Sequence, residues 1–567
     1  LFFHHIVAIQ EILQRILKFL FTSGEFQMAL DALDWTIIII YLIGMVGLSF
    51  FLARGQKTDR DYYLGGNKTA PLPIALSTMA TQCSTNSLLG APAFVAFAAG
   101  GGMIWLQYEL AVPLAMIFLM ALIFPILRRL NLISLYAYLE KRFDAGTRTF
   151  ISILFQFLRA FSTGVTVYGI SLVLMICLNI PFWAAVLMLG GVTILYDVLG
   201  GMKAVIWSDV IQIVVLFGAI LAAIVVSVHL AGGLSAVVDQ PARLRAVDFA
   251  NHGLGDGHTF AFWPMLVGGL FLYLSYYGCD QTQAQRELST RSVDDTNRAL
   301  FLDGMLRFPL VLSYCFLGVC LGAYALSHPA FLAGLPVTES GEANYNLAVP
   351  VFVLNHFPHG LIGLVMVGLF AAAMSSLDST LNALSALSMQ DIVKRFAKKD
   401  LNGRMELVIS KMLTVFWGAV CLFFAFFVGG ISDTIIESIN KIGSLINGPL
   451  LAVFMMGMLT RRVNGPGAAA GLIVGFGVNL LMWKYAPKIS WMWWNVIGFF
   501  IAYTTGYLIS LAFANPNPAK LEGTRFQRPL GSQRAHQSNW RPYYVTLALY
   551  GTGILVLLVV MTAIWGS

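Results

Sequence analysis

The chain has 567 residues, of which 58% are hydrophobic and 11% charged. A soluble globular protein carries about 25% charged residues, so a soluble multidomain enzyme is not the expected class. The net charge of +7 would suit nucleic acid, but most of the basic residues sit in short loops between apolar runs, which argues against that partner.

Residues 1–22 (LFFHHIVAIQEILQRILKFLFT) place Glu11, Arg15 and Lys18 at helical spacing and predict an amphipathic helix on a membrane surface. No positive n-region precedes the apolar run, which disfavours a signal peptide. His4 and His5 read as a wetted helix end rather than as ligands.

A bilayer core about 30 Å thick takes roughly 20 apolar residues of helix. About fourteen such runs follow, labelled TM0 to TM13: 34–53, 73–98, 104–126, 148–178, 182–198, 205–230, 259–279, 300–327, 349–388, 405–430, 434–459, 466–485, 491–513 and 542–564. The expected fold class is an all-α integral membrane bundle. The longest loops, near 231–258, 327–348 and 514–541, are too short for a soluble domain. Cys83, Cys177, Cys279, Cys315, Cys320 and Cys421 lie in or beside apolar runs without metal-type spacing and read as small apolar residues.

Lysine and arginine alternate between rich and poor loops. Arg54, Lys57, Arg60 and Lys68, then Arg128, Arg129, Lys141 and Arg142, then Arg286, Arg291 and Arg298 mark one side, as do the clusters near 394–404 and 520–541. The opposite loops hold little beyond Arg243, Arg245 and Lys488. Under the positive-inside rule the first set is cytoplasmic. Both termini are then extracytoplasmic, in a plasma (inner) membrane protein.

Four interruptions of the apolar runs carry chemistry. TM1 contains Thr78-Met-Ala-Thr-Gln-Cys-Ser-Thr-Asn-Ser87, followed by Gly90 and Pro92. So polar a stretch in mid-span fits a broken helix whose freed backbone groups bind ion and solute; a kinked helix in a buried seam is the plainer alternative. Arg159 lies about 16 Å into TM3, beyond easy snorkelling. Its planar fork suits a carboxylate, whether a solute's or that of Glu109 or Asp209 in a structural pair. Asp209 in TM5 falls about 9 Å beyond Lys203, inside the apolar layer, where a carboxylate wants a cation. In TM8, Ser375 and Ser379 share one helix face and Ser376 and Thr380 the next. Hydroxyl and carbonyl oxygens are hard ligands suited to Na⁺, although such hydroxyls also serve interhelical packing.

Together these segments resemble the sodium/solute symporter family of the sodium/glucose cotransporter type. The resemblance rests on Gly200-Gly-Met-Lys-Ala-Val-Ile-Trp-Ser-Asp-Val-Ile-Gln212 and Ala371-Ala-Ala-Met-Ser-Ser376, with Tyr276-Tyr-Gly-Cys-Asp-Gln-Thr-Gln-Ala-Gln-Arg286 and Asp61-Tyr-Tyr-Leu-Gly-Gly-Asn-Lys68 as further marks. It covers about residues 35–515 and implies a LeuT-like bundle of two inverted repeats of five helices. The expected organisation is an N-terminal extension (1–33), TM0 and a cytoplasmic loop (34–70), a first repeat TM1–TM5 (71–232), a second repeat TM6–TM10 (259–460) and accessory helices TM11–TM13 (461–567).

The resemblance also implies site residues. A Na⁺ site falls on Ala80, Cys83, Ala372, Ser375 and Ser376, and a second cation site on Asp209, Ser375, Asp378 and Ser379. Asp378 departs from the hydroxyl usual there and could titrate, which leaves Na⁺ stoichiometry and H⁺ coupling open. A solute pocket falls on Ser87, Glu109, Tyr273, Arg307 and Asn440, with Tyr276 as an inner gate; Arg159 adds a carboxylate-binding group to it. The expected activity is Na⁺-coupled symport of a small organic solute, carboxylate-bearing in one reading and a sugar or polyol in another. Na⁺ is the co-transported ion, no organic cofactor is expected, the bilayer and the solute are the other partners, and oligomeric state stays open. An enzyme would need a nucleophile or metal motif, a membrane sensor a soluble output domain and a channel a filter repeat; none is evident.

Overall fold

The computed structural model describes residues 30–83, 85–337, 341–397, 401–427, 435–526 and 538–565, the side chains of 85, 86 and 435–440 excepted. The amphipathic extension expected over 1–33 thus lies almost wholly outside the described residues. Among the described residues, eleven helices are long and apolar enough to cross a membrane.

Helix α1 (Ala32–Leu52) starts at a reciprocal cap in which Asp31 accepts from the Asp34 N–H and Asp34 from the Asp31 N–H. The TM1 run is broken into α2 (Pro71–Gln82) and α3 (Thr85–Phe97). Pro71 opens α2, where its missing N–H costs nothing. Helices α4 (Met103–Arg129), α5 (Ala145–Leu178) and α6 (Phe182–Leu230) follow. Helix α6 covers the TM4 and TM5 runs in 49 residues, with non-helical backbone at Gly201 (φ 56°, ψ −154°) marking the joint.

The TM6 run is broken as well, into α7 (Gly269–Gly278) and α8 (Gln281–Leu288). Then come α9 (Val293–Ser327), α10 (Leu361–Phe396), α11 (Gly403–Phe427), α12 (Ile435–Leu459), α13 (Gly465–Tyr485), α14 (Trp491–Leu511) and α15 (Arg541–Trp565). The expected TM8 run, 349–388, is corrected. Ala348–His356 is a separate short helix, and Phe357-Pro358 with Gly360 (φ +87°) interrupts the chain before α10.

Burial separates centre from rim. In α10, 83% of the apolar window is buried, against 17% in α15 and 28% in α11. Helices α1, α11 and α15 instead display Ile40, Ile43, Phe416, Phe427, Leu549 and Val556 outward. With no soluble exterior of comparable apolarity, such a surface belongs in lipid. All six cysteines are free and buried, as their apolar reading implies.

Two arginines of the basic set, Arg142 and Arg286, are buried within the bundle. Arg142 is fully buried and donates to the Gly457 and Thr460 carbonyls (2.9 and 3.0 Å), satisfying the end of α12. Arg286 is also fully buried and lies at the centre of the bundle.

Candidate functional site

The two breaks meet the hydroxyl-rich face of α10. Helix α2 ends at Gln82, and Cys83 (φ −80°, ψ 61°) leaves helical geometry. The last carbonyls of a helix have no partner within it and carry its negative dipole end, which suits a cation. Across from them, Ser376 donates to the Thr81 and Ala372 carbonyls at 3.4 Å each. Thr81 Oγ1 meets Ser375 Oγ at 3.3 Å and Ser379 Oγ at 3.1 Å. The structure therefore brings the end of α2, with Ala80 and Cys83, against Ser375 and Ser376 of α10. Ala80, Cys83, Ala372 and Ser375 are all buried.

The second cation set is also assembled, with a tenant that sequence reasoning missed. Arg286 Nη2 pairs with Asp209 Oδ2 at 2.9 Å, both side chains being fully buried. The guanidinium also donates to Ser77 Oγ (2.7 Å), Thr81 Oγ1 (2.5 Å) and Ser379 Oγ. The cation that a carboxylate needs in the apolar layer is supplied to Asp209 by Arg286 of α8. Asp209 Oδ1 keeps no hydrogen-bond partner. Asp378 stands off from this pair: its carboxylate accepts from Tyr196 (2.5 Å) and Ser379 (3.0 Å).

Beside the break lies a cavity of about 210 Å³, the scale of a small solute. Of the residues expected around a solute, Ser87, Glu109, Arg159, Tyr273, Tyr276 and Arg307 all line it. The side chain of Asn440 lies outside the described residues, although Gly443 and Asn447 of the same helix reach the wall. Gln82, Trp105, Thr163, Asp280 and Trp491 line it too and were not foreseen.

Neither arginine is bare. Arg307 Nε pairs with Glu109 Oε2 at 3.0 Å, and Tyr273 donates to Glu109 Oε1 at 3.1 Å. Arg159 pairs with Asp280 at 3.2 Å and donates to Thr282 Oγ1 at 3.1 Å, so its partner is neither Glu109 nor Asp209. Asp280 is the N-cap of α8, accepting from the Thr282 N–H at 2.7 Å, and exists as a free cap only because the helix breaks there. Arg307 Nη1 and Arg159 Nε are buried without a hydrogen-bond partner. Tyr276 accepts from Gln283 at 2.7 Å on the same wall.

Outside the membrane spans, Asp61 fixes the loop ahead of α2. Burial works against its charge, but hydrogen bonds from the Lys57 and Thr58 backbones and the Thr58 hydroxyl, with the Lys203 charge, hold its carboxyl below the usual range.

A membrane bundle with two broken helices facing a hydroxyl-rich third across a small polar cavity is a solute carrier. The family model of the Sodium:solute symporter family matches residues 62–475, and the chain belongs to that family. It is a Na⁺-coupled solute symporter, not an enzyme. It is similar to the sodium/sialic acid symporter NanT of Aliivibrio fischeri (28% identical, covering 85% of this chain and 94% of that one). It is similar, too, to the human sodium-coupled monocarboxylate transporter 1 (28%; 78% and 71%) and the rabbit (Oryctolagus cuniculus) sodium-dependent multivitamin transporter (31%; 78% and 69%). Among solved structures, the substrate-bound outward-open state of a Na⁺-coupled sialic acid symporter superposes with a TM-score of 0.77 at 24% identity, covering 86% of this chain and 99% of that one. A transporter of the nucleobase-cation-symport-1 family gives 0.52 at 11% identity, over 83% and 99%. Both share the LeuT-like fold.

Proposed function

We propose that this protein takes up a carboxylate-bearing organic anion together with Na⁺ by alternating access. The observation that carries the choice of solute is the pair of unpartnered guanidinium nitrogens, Arg307 Nη1 and Arg159 Nε, at a solute-sized cavity. A buried donor without an acceptor is costly, and a carboxylate satisfies it with charge-assisted bonds. Relatives named for monocarboxylates and sialic acid agree with that reading.

Na⁺ binds at Ala80, Cys83, Ala372, Ser375 and Ser376, tying α2 to α10 and shaping the cavity wall at Thr81 and Ser376. Tyr276 gates the inner side. At the second set, Asp209, Ser375, Asp378 and Ser379, the positive charge is Arg286, and an ion enters there only if that guanidinium leaves. Dividing α6 at Gly201 and rejoining the two broken helices gives fourteen spans, with repeats over 71–232 and 259–460 and both termini outside the plasma membrane.

A neutral sugar or polyol is the second reading. Each cavity arginine already has a carboxylate partner, and Trp105, Tyr108 and Tyr273 offer rings for a sugar face. Uptake into proteoliposomes under an inward Na⁺ gradient, over a panel of monocarboxylates, sugar acids, sugars and polyols, separates the two. The anion reading requires Na⁺-dependent uptake confined to carboxylates; uptake of sugars alone overturns it.

A further inference from the structure

A second group of buried acids lies off the cavity and takes no part in the sites above. Asp303 of α9 is fully buried; neither carboxylate oxygen has a partner at ordinary hydrogen-bond geometry, although the Tyr277 hydroxyl of α7 lies close enough to interact with it. Glu287 of α8 is fully buried as well; Oε1 accepts from Thr78 of α2 at 3.2 Å and Oε2 has no partner. The two carboxyls lie within electrostatic reach of each other.

The charged and titratable groups around them are accounted for. On its own helix Asp303 faces Arg307, whose Nε and Nη2 go to Glu109 of α4 and which forms no ion pair with Asp303. From α7 it faces Tyr277, whose hydroxyl donates to Gln82 on the cavity wall. Beside Glu287, Arg286 is turned onto Asp209, and Arg128 of α4 donates to the Leu288 and Thr290 carbonyls at 2.5 and 2.9 Å. Among the described residues neither acid forms an ion pair. From α2, Thr78 donates to Glu287 and Gln82 accepts from Tyr277, and neither titrates.

Two ionised carboxylates in the apolar layer, neither in an ion pair, would be far costlier than a pair that has taken up a proton. A protonated Asp303 also gains a donor, and the Tyr277 oxygen beside it has a lone pair to spare because its own hydrogen goes to Gln82. We propose that Asp303 and Glu287 form a proton-binding site beneath the solute cavity, loaded in this conformation. The site joins α2 and α8, the inner halves of the two broken helices, to α9. When those halves part, water reaches the acids and the proton leaves to the inner solution, so the cycle of this Na⁺ symporter carries a protonation step of its own.

Infrared difference spectra of the purified full-length protein test this without a known solute. Asp303→Asn and Glu287→Gln mimic the neutral acid in shape and should fold. At neutral pH the wild type should show a protonated-carboxyl C=O band that shifts in D₂O and is lost in at least one variant; an unchanged band in both overturns the proposal. Melting temperature gives a second readout. It should fall in the wild type, relative to the double variant, as pH is raised from the ordinary carboxylate range through neutral. If Na⁺, K⁺ or Ca²⁺ stabilises the wild type through these two acids, in a manner that the double variant loses, the site holds a metal cation and the proton reading is wrong. Both measurements are independent of transport, so their failure is distinguishable from a wrong solute.

Discussion

Ser376 and Arg159 carry the two halves of the transport reading, and each can be removed alone. Ser376 donates to the carbonyls of Thr81 and Ala372. Ser376→Ala should raise the Na⁺ concentration for half-maximal uptake about tenfold, since one lost oxygen ligand is worth on the order of 1.4 kcal/mol. Unchanged Na⁺ dependence in proteoliposomes would move the ion elsewhere. Arg159→Gln should abolish uptake of a carboxylate while leaving the protein folded, and retained affinity would reduce Arg159 to an anchor for Asp280. Asp61 gives a titratable check on the loop ahead of α2. Its folded-state carboxyl is held below the ordinary range, so its stabilisation is present above that range and lost as pH falls through the lowered value. Asp61→Asn should cost about 1 kcal/mol at neutral pH, and the gap to wild type in thermal melts should close in acid.

At the scale of elements, the two breaks and the joint in α6 are set by a few backbones. Gly201 has φ 56° and ψ −154°, a conformation open only to glycine, and a Cβ there would meet the Tyr62 carbonyl oxygen at 2.6 Å. Gly201→Ala should destabilise the bundle by about 1–3 kcal/mol and lower the yield of monodisperse protein on size exclusion. The break in α2/α3 follows from a run of short polar side chains that compete for backbone groups. The break at Cys279-Asp280 has no such run. There the cap at Asp280 and its pair with Arg159 hold the break, so the apolar run ends at 279 although the helix continues as α8. The same limit applies to Arg286: a cation after an apolar run looks like a loop charge until the chain folds back over it.

Across the whole molecule, ion binding and conformational state are one equilibrium. A ligand that binds only the folded carrier raises its stability by about 2.7 kcal/mol at a hundred times its dissociation constant. Na⁺ should therefore raise the melting temperature of the purified protein where K⁺ does not, and Ser376→Ala should remove most of the rise. An equal response to both ions would count against a Na⁺ site.

Periodicity and composition by themselves determined that the chain is a helical membrane bundle, because hydrocarbon demands long apolar helices whatever their arrangement. The motifs extended this to the family and picked out residues that line the cavity, since a polar side chain in mid-span is too costly to lie there idle. Only the tertiary structure decided how the charges pair. Arg286 with Asp209, Arg307 with Glu109 and Arg159 with Asp280 join residues from 77 to 198 positions apart, and no local pattern encodes such distances. It alone separated Asp303 and Glu287 from the paired carboxylates, because an unsatisfied acid is defined by what surrounds it, and those surroundings come from five different helices.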